Sequence, residues 1–236
     1  MIEFKASYFW ESFPQLLRYL PITILIIALS LFFGIMIGFI LVWMKLGKSI
    51  ILRKIANGYT TVVRCTPYIV MLFLIYYGGP RVVALFGGDG NTKGKLFYII
   101  MTFSIMCGGT LSEVMRSAYE AIPRGQTEAA YSLSMTPFQT LRRIVIPQAF
   151  VIALPNIGNN VIDMFKNSSL AFTIGFMEIM GKADSIIAQR YGCFPISTYL
   201  AVALIYWVSC IILERIMHLM ETSLERRKAR IVRVRG

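Results

Sequence analysis

Five stretches of this chain are apolar for long enough to cross a hydrocarbon core, which takes about 20 residues because the backbone must satisfy its own hydrogen bonds there. The first, Tyr19 to Met44, is uncharged throughout. The second runs from about Ile55 to Gly79 with one charge, Arg64, just before Cys65-Thr66-Pro67. The third, Leu96 to Ser112, is short. A fourth starts near Ile144, turns polar at Asn156, meets Asp163 and Lys166, and resumes as an apolar stretch from Ser168 to Met177. That pattern predicts a span broken or capped inside the membrane. The fifth, Tyr191 to Leu213, is again uncharged. The expected fold is an all-α membrane protein, one domain over residues 1–236, with about five transmembrane helices.

Composition agrees, since 56% of residues are hydrophobic and only 15% charged, far from an average soluble domain. Lys and Arg number 24 against 12 Asp and Glu, an excess that suits anionic lipid head groups. No basic cluster is interleaved with aromatic residues, which argues against nucleic acid as a partner. Positive charge also predicts orientation. Lys45, Lys48, Arg53, Lys54, Arg116, Arg124, Arg142, Arg143 and the run from Arg215 to Arg235 fall on one side, expected to be cytoplasmic. The other side carries Lys5, Arg18, Arg81, Lys93, Lys95, Lys182 and Arg190, partly balanced by Glu3, Glu11, Asp89 and Asp184. The N-terminus is therefore expected outside, with no cleaved signal peptide, and the C-terminus inside a cell membrane. Gly87 to Asn91 reads as a flexible turn in an outer loop. Cys65, Cys107, Cys193 and Cys210 are scattered, without a C-x-x-C pair, and read as inert packing residues. No metal site is expected.

The polar stretch from Glu113 to Arg143 reads as two helices. Pro123 and Gly125 precede the first, Gln126 to Leu133, whose small apolar face is made by Ala129, Ala130 and Leu133. Thr136-Pro137-Phe138-Gln139 has the form of a capping box opening a second helix that runs to Pro147. A helix with an alanine-lined face suits docking into a groove on another protein; an ordinary amphipathic surface helix is the alternative.

These residues resemble a known family. Glu128-Ala129-Ala130, three residues, Ser134, nine residues, Ile144, one residue and Ile146-Pro147 is similar to the EAA loop of ATP-binding-cassette import permeases. Ser134 stands where that pattern has glycine and Ile146 where it has leucine. Arg64-Cys65-Thr66-Pro67, Glu113-Val114-Met115-Arg116, Ile122 to Gln126 and Lys166-Asn167-Ser168-Ser169-Leu170 resemble the polar amino-acid uptake branch. Cys65 there replaces glycine, Asn167 aspartate and Ser168 threonine. Leu20 to Thr23 and Ala171 to Ala183 look most like the cystine permeases. The resemblance implies a type I importer permease with its coupling loop at 123–147, formed by Gly125, Glu128, Ala129, Ala130, Leu133 and Ser134. It also implies a dimer with a second permease copy or a sister permease, two cytoplasmic ATP-binding subunits that hold ATP and magnesium, and an extracellular substrate-binding protein. No cofactor is expected in this chain, which carries no phosphate-binding G-x-x-x-x-G-K-[ST] loop.

Ionisable groups at membrane depth mark pathways or pairs. Asn156, Asn159, Asn160, Asp163, Lys166 and Asn167 recur at helical spacing and can share one broad face, with Ser168 at its end. An amino-acid zwitterion needs an acceptor for its ammonium and donors for its carboxylate. Asp163 and Lys166 with the surrounding amides supply both; the alternative is an internal Asp163–Lys166 pair that holds the bundle together. Arg64 reads as a snorkelling or interface residue. Rival functions are a secondary transporter, for which no internal repeat is visible, a membrane scaffold without ATPase coupling, and a hydrolase. The last lacks G-x-S-x-G, and its one histidine, His218, has no catalytic partner nearby in sequence.

Overall fold

The structure is a computed structural model that describes residues 4–87 and 94–233, with side chains described as far as residue 224. Most of the outer Gly87 to Asn91 turn and the side chains of the terminal basic run lie outside those residues. Among the described residues ten α-helices follow one another: α1 (Ala6–Leu17), α2 (Leu20–Leu46), α3 (Ile50–Cys65), α4 (Tyr68–Leu85), α5 (Lys95–Glu120), α6 (Arg124–Ser132), α7 (Pro137–Thr140), α8 (Ile146–Asn167), α9 (Ile179–Gln189) and α10 (Pro195–Arg233). Five segments of the described residues are long and apolar enough to cross a membrane: α2, α4, α5, the composite Pro137–Ile174 and the part of α10 up to Leu224.

The core is built on α2 against α5. A Cβ on Gly34 would lie 2.7 Å from the Cys107 Sγ, and one on Gly108 would lie 2.5 Å from the Ile37 Cγ2. Only glycine allows the backbones so close, the usual device for packing helices where lipid supplies no hydrophobic drive. Ile26, Phe103, Cys107, Leu111 and Phe165 fill the space around this contact. A second cluster forms where α1 crosses α9 and α10, burying Leu16 against Ile179, Ala183 and Ala201. The apolar pattern does not predict α1, because its 12 residues are too short to span and include Pro14. It is amphipathic instead, with Leu16 buried and Trp10 69% exposed, and Glu11 pairs with Arg190 at 3.0 Å.

The second apolar stretch, Ile55 to Gly79, is not one helix. It divides at Thr66-Pro67, both extended (ψ 125 and 144), because proline disfavours helical geometry at the preceding residue and has no N–H to donate. The helix expected over Leu96 to Ser112 runs on to Glu120, since Glu113, Arg116 and Glu120 neutralise one another along one face. The fifth helix starts at Pro195 rather than Tyr191, as Tyr191 and Phe194 both take left-handed backbone with φ 53. The helix expected to end at Pro147 instead continues into α8. A π-turn, Leu141–Val145, lies just before the proline, and such a widened turn relieves the clash between the ring and the preceding carbonyls.

After α8 the chain tightens into a 3₁₀ turn, Ser168–Ile174, that ends at left-handed Gly175 (φ 69). Glu178 then caps α9 with Oε1 accepting from the Gly181 N–H at 2.9 Å, while the Tyr206 hydroxyl donates to Oε2 at 3.2 Å. This carboxyl is fully buried, and burial raises its pKa from the ordinary 4.5 to about 7.

Candidate functional site: a polar face and a coupling loop

Helix α8 presents Asn156, Asn159, Asp163 and Lys166 on one exposed face, as the three- and four-residue spacing requires. The structure takes Asn160 and Ser168 off it. Asn160 is 6% exposed and turns toward α5, where its Oδ1 accepts from the Cys107 thiol at 3.3 Å. Ser168 is buried and donates back to the Phe165 carbonyl at 2.7 Å. Asn167 is half-buried, its amide donating to the Asp163 carbonyl at 2.9 Å. Asp163 and Lys166 pair with each other at 3.0 Å, with side chains 59% and 57% exposed. That pair is open to competition, since exposed ion pairs are worth at most about 1 kcal/mol.

The α3–α4 break forms a concavity of about 410 Å³, lined by Arg64, Cys65, Thr66, Pro67, Tyr68 and Thr110 among others. Tyr68, at the rim of this concavity, packs against the core cluster to which Met164 and Phe165 of α8 belong. The break leaves the first amides of α4 without helical acceptors, while the last turn of α3 is closed by Thr66, whose hydroxyl donates to the Val62 carbonyl at 2.7 Å. Irregular backbone at membrane depth is tolerated where it lines a cavity. Arg64 is exposed and has no acid within ion-pair distance among the described residues. Continuous hydropathy hid this half of the site; the signal that could have found it is Thr66-Pro67.

On the loop, the capping box forms as expected, with the Thr136 Oγ1 accepting from the Gln139 N–H and Gln139 reaching back to the Thr136 N–H. Helix α6 includes Gly125, Glu128, Ala129 and Ala130 and ends just before Leu133. Its small face is divided. Ala130 is 1% exposed and turned inward, whereas Leu133 is 77% exposed, with Phe138 at 68% beside it in sequence on the next turn. Ser134, where the resembled pattern has glycine, takes φ 57, and the corner is closed by the Met135 N–H donating to the Ala130 carbonyl at 3.1 Å.

A bundle of apolar spans with an interrupted helix and an exposed polar face is the build of a membrane permease. The chain belongs to the family of binding-protein-dependent transport system inner membrane components, matched over residues 30–226. It is similar to the L-cystine transport system permease protein TcyL of Bacillus subtilis, 33% identical over 98% of this chain and 96% of the relative. It is also similar to the probable amino-acid ABC transporter permease protein PatM of Vibrio harveyi, 35% identical over 94% and 97%. A crystal structure of an amino acid ABC transporter with histidines superposes with a TM-score of 0.81 at 28% identity, covering 94% of this chain and 99% of that one. The chain is accordingly an amino-acid ABC transporter permease subunit in a membrane, and is not itself an enzyme.

Proposed function

We propose that this permease forms the membrane path of an ATP-driven importer that carries a net-neutral amino acid, L-cystine being the foremost candidate, into the cytoplasm. The single observation that supports a zwitterionic cargo is the arrangement of charge. One carboxylate, Asp163, and one ammonium, Lys166, occupy an exposed face of α8, and the concavity at the α3–α4 break adds one cation, Arg64. Asp163, released from Lys166, accepts the substrate ammonium; Arg64 and the free amides at the start of α4 receive the carboxylate, as half-helix N-termini do in other transporters. A cationic side chain would need a further acid, because an unpaired cation in low dielectric is strongly disfavoured. The likeness to the cystine permease TcyL supports the choice of cystine, whose two zwitterionic ends together carry no net charge.

The partners follow from the family: two cytoplasmic ATPase subunits that bind ATP and magnesium, a second permease, and an extracellular binding protein that delivers the substrate. Leu133 and Phe138 are the apolar contacts offered to the ATPase. The N-terminus lies outside and the basic C-terminus in the cytoplasm, placing the coupling loop where ATP is hydrolysed. The experiment is reconstitution with the ATPase and binding protein in vesicles, followed by uptake of labelled L-cystine and labelled arginine. ATP-dependent cystine uptake without arginine uptake is expected; the reverse preference refutes the charge argument. Labelling of a cysteine placed at Arg233 by an impermeant reagent on intact cells would refute the orientation.

A further inference from the structure

At the loop-side ends of α2 and α5 lies a charged cluster that the transport path does not use. Lys45, near the end of α2, is buried, with its side chain 1% exposed. Its ammonium donates to the Ser112 Oγ at 2.9 Å and to the Glu113 Oε1. Ser112 has committed its own proton to the Gly109 carbonyl at 2.8 Å, so its lone pairs face the lysine. Thr60 of α3 stands 3.4 Å from the same hydroxyl. The other carboxylate oxygen of Glu113 accepts from the Arg116 Nε and Nη2 at 3.0 and 2.8 Å, and Arg116 reaches on to Glu120 at 2.7 Å. Glu120 is the last residue of α5, four positions before α6 begins.

Burying an ammonium costs several kcal/mol, and an apolar replacement of a buried ion pair is often neutral or stabilising. Stability alone therefore does not call for a lysine here. What the cluster adds is direction. It holds α2, α3 and α5 in one register at the loop end, while the Gly34 and Gly108 contacts hold α2 to α5 at mid-length. Adjacent to Gly108, Cys107 bonds Asn160 of α8. The short link after Glu120 leads into α6, so α5 joins the foot of α6 to the helix that carries Asp163.

We propose that the Lys45–Glu113 bridge locks α2 to α5 so that the two helices answer movement of the coupling helix as one body, with Lys45 acting as a positioning residue. This rests on the importer reading above. When the ATPase pulls α6, a bridged α2–α5 pair moves as one body and takes α8 with it through Asn160. Without the bridge the foot of α5 moves while α2 stays behind, so ATP is hydrolysed without opening the path.

The test uses the reconstituted complex with the loaded binding protein. Lys45→Met keeps the volume and leaves Glu113 its Arg116 partner; Glu113→Gln removes the charge from the other side. Transported substrate per ATP hydrolysed is measured for each, using whichever labelled amino acid the unaltered complex imports from a panel containing L-cystine. At equal amounts of assembled complex, both variants are expected to keep ATP hydrolysis while this ratio falls about ten-fold, within the usual range for coupling between sites. The double variant should be no worse than the poorer single one. An unchanged ratio, or loss of the assembled complex in both single variants, overturns the proposal, the latter because the bridge then only maintains the fold. If the unaltered complex imports nothing, the importer reading itself fails, a different result from an active complex that ignores Lys45.

Discussion

Two lysine–carboxylate pairs in this molecule use the same chemistry and differ in what surrounds them. Asp163 and Lys166 sit a helical turn apart with more than half of each side chain exposed. Lys45 and Glu113 join two helices, and the lysine is almost wholly shielded. An exposed pair is weak and can exchange its partner for a ligand, whereas breaking a buried pair strands a charge and costs about 3 to 5 kcal/mol. Under the proposals above, environment rather than residue type gives the first pair to recognition and the second to mechanics.

The largest effect should come from opening the exposed pair. Asp163→Asn is expected to lower uptake by roughly ten- to a hundred-fold, the worth of a hydrogen bond to a charged group, while abundance and binding-protein docking stay unchanged. A loss of abundance with normal uptake per folded molecule would turn the pair into a structural one and erase the contrast. Next is the loop proposed to drive the buried pair. Leu133→Asp should weaken ATPase association about 30-fold, as loss of an interface anchor does, and leave the permease folded, because Leu133 is exposed in the isolated chain. Ala130→Trp tests the fold instead of the docking face, since Ala130 points inward. Retention of full assembly by the Leu133 variant would remove α6 from the interface.

A third measurement sharpens the comparison with an unpaired buried acid. Glu178 has its pKa raised from 4.5 to about 7 by burial, so between those values the folded protein holds a proton that the unfolded chain has lost. Its contribution to stability is full below about pH 4.5 and is lost as pH rises through 7. Thermal unfolding temperature should fall across that window, and Glu178→Gln should flatten the slope while Tyr206 and the α9 cap keep an acceptor. The smallest effect is at Ser134. A left-handed residue other than glycine costs about 1 kcal/mol, so Ser134→Gly should stabilise the loop by about 0.5 to 1 kcal/mol, detectable as slower amide exchange at Met135.

Much of this was legible in the chain. Hydropathy marks α2 and the core of α10, and the Thr136 capping box marks the start of the second loop helix because both its partners lie within four residues. Local spacing also places Asn156, Asn159, Asp163 and Lys166 on one face. It does not reveal where that face ends: Asn160 is withdrawn by a thiol 53 residues away in sequence, and Gly158 is pressed against Met217, which a Cβ would approach to 3.0 Å. The Lys45–Glu113 bridge spans 68 positions, beyond any periodicity. Helix α1 escaped for another reason, as its stability comes from packing on α9 and α10 rather than from length or apolar content.

The α3–α4 break has one more consequence. Of the four cysteines, only Cys65 is exposed, and it lines the concavity beside Arg64; Cys107 is enclosed between helices. The protein thus carries its own reporter. A membrane-impermeant thiol reagent applied from one side and then the other, with and without ATP, reports to which compartment the concavity opens, using a thiol that the native chain already places there.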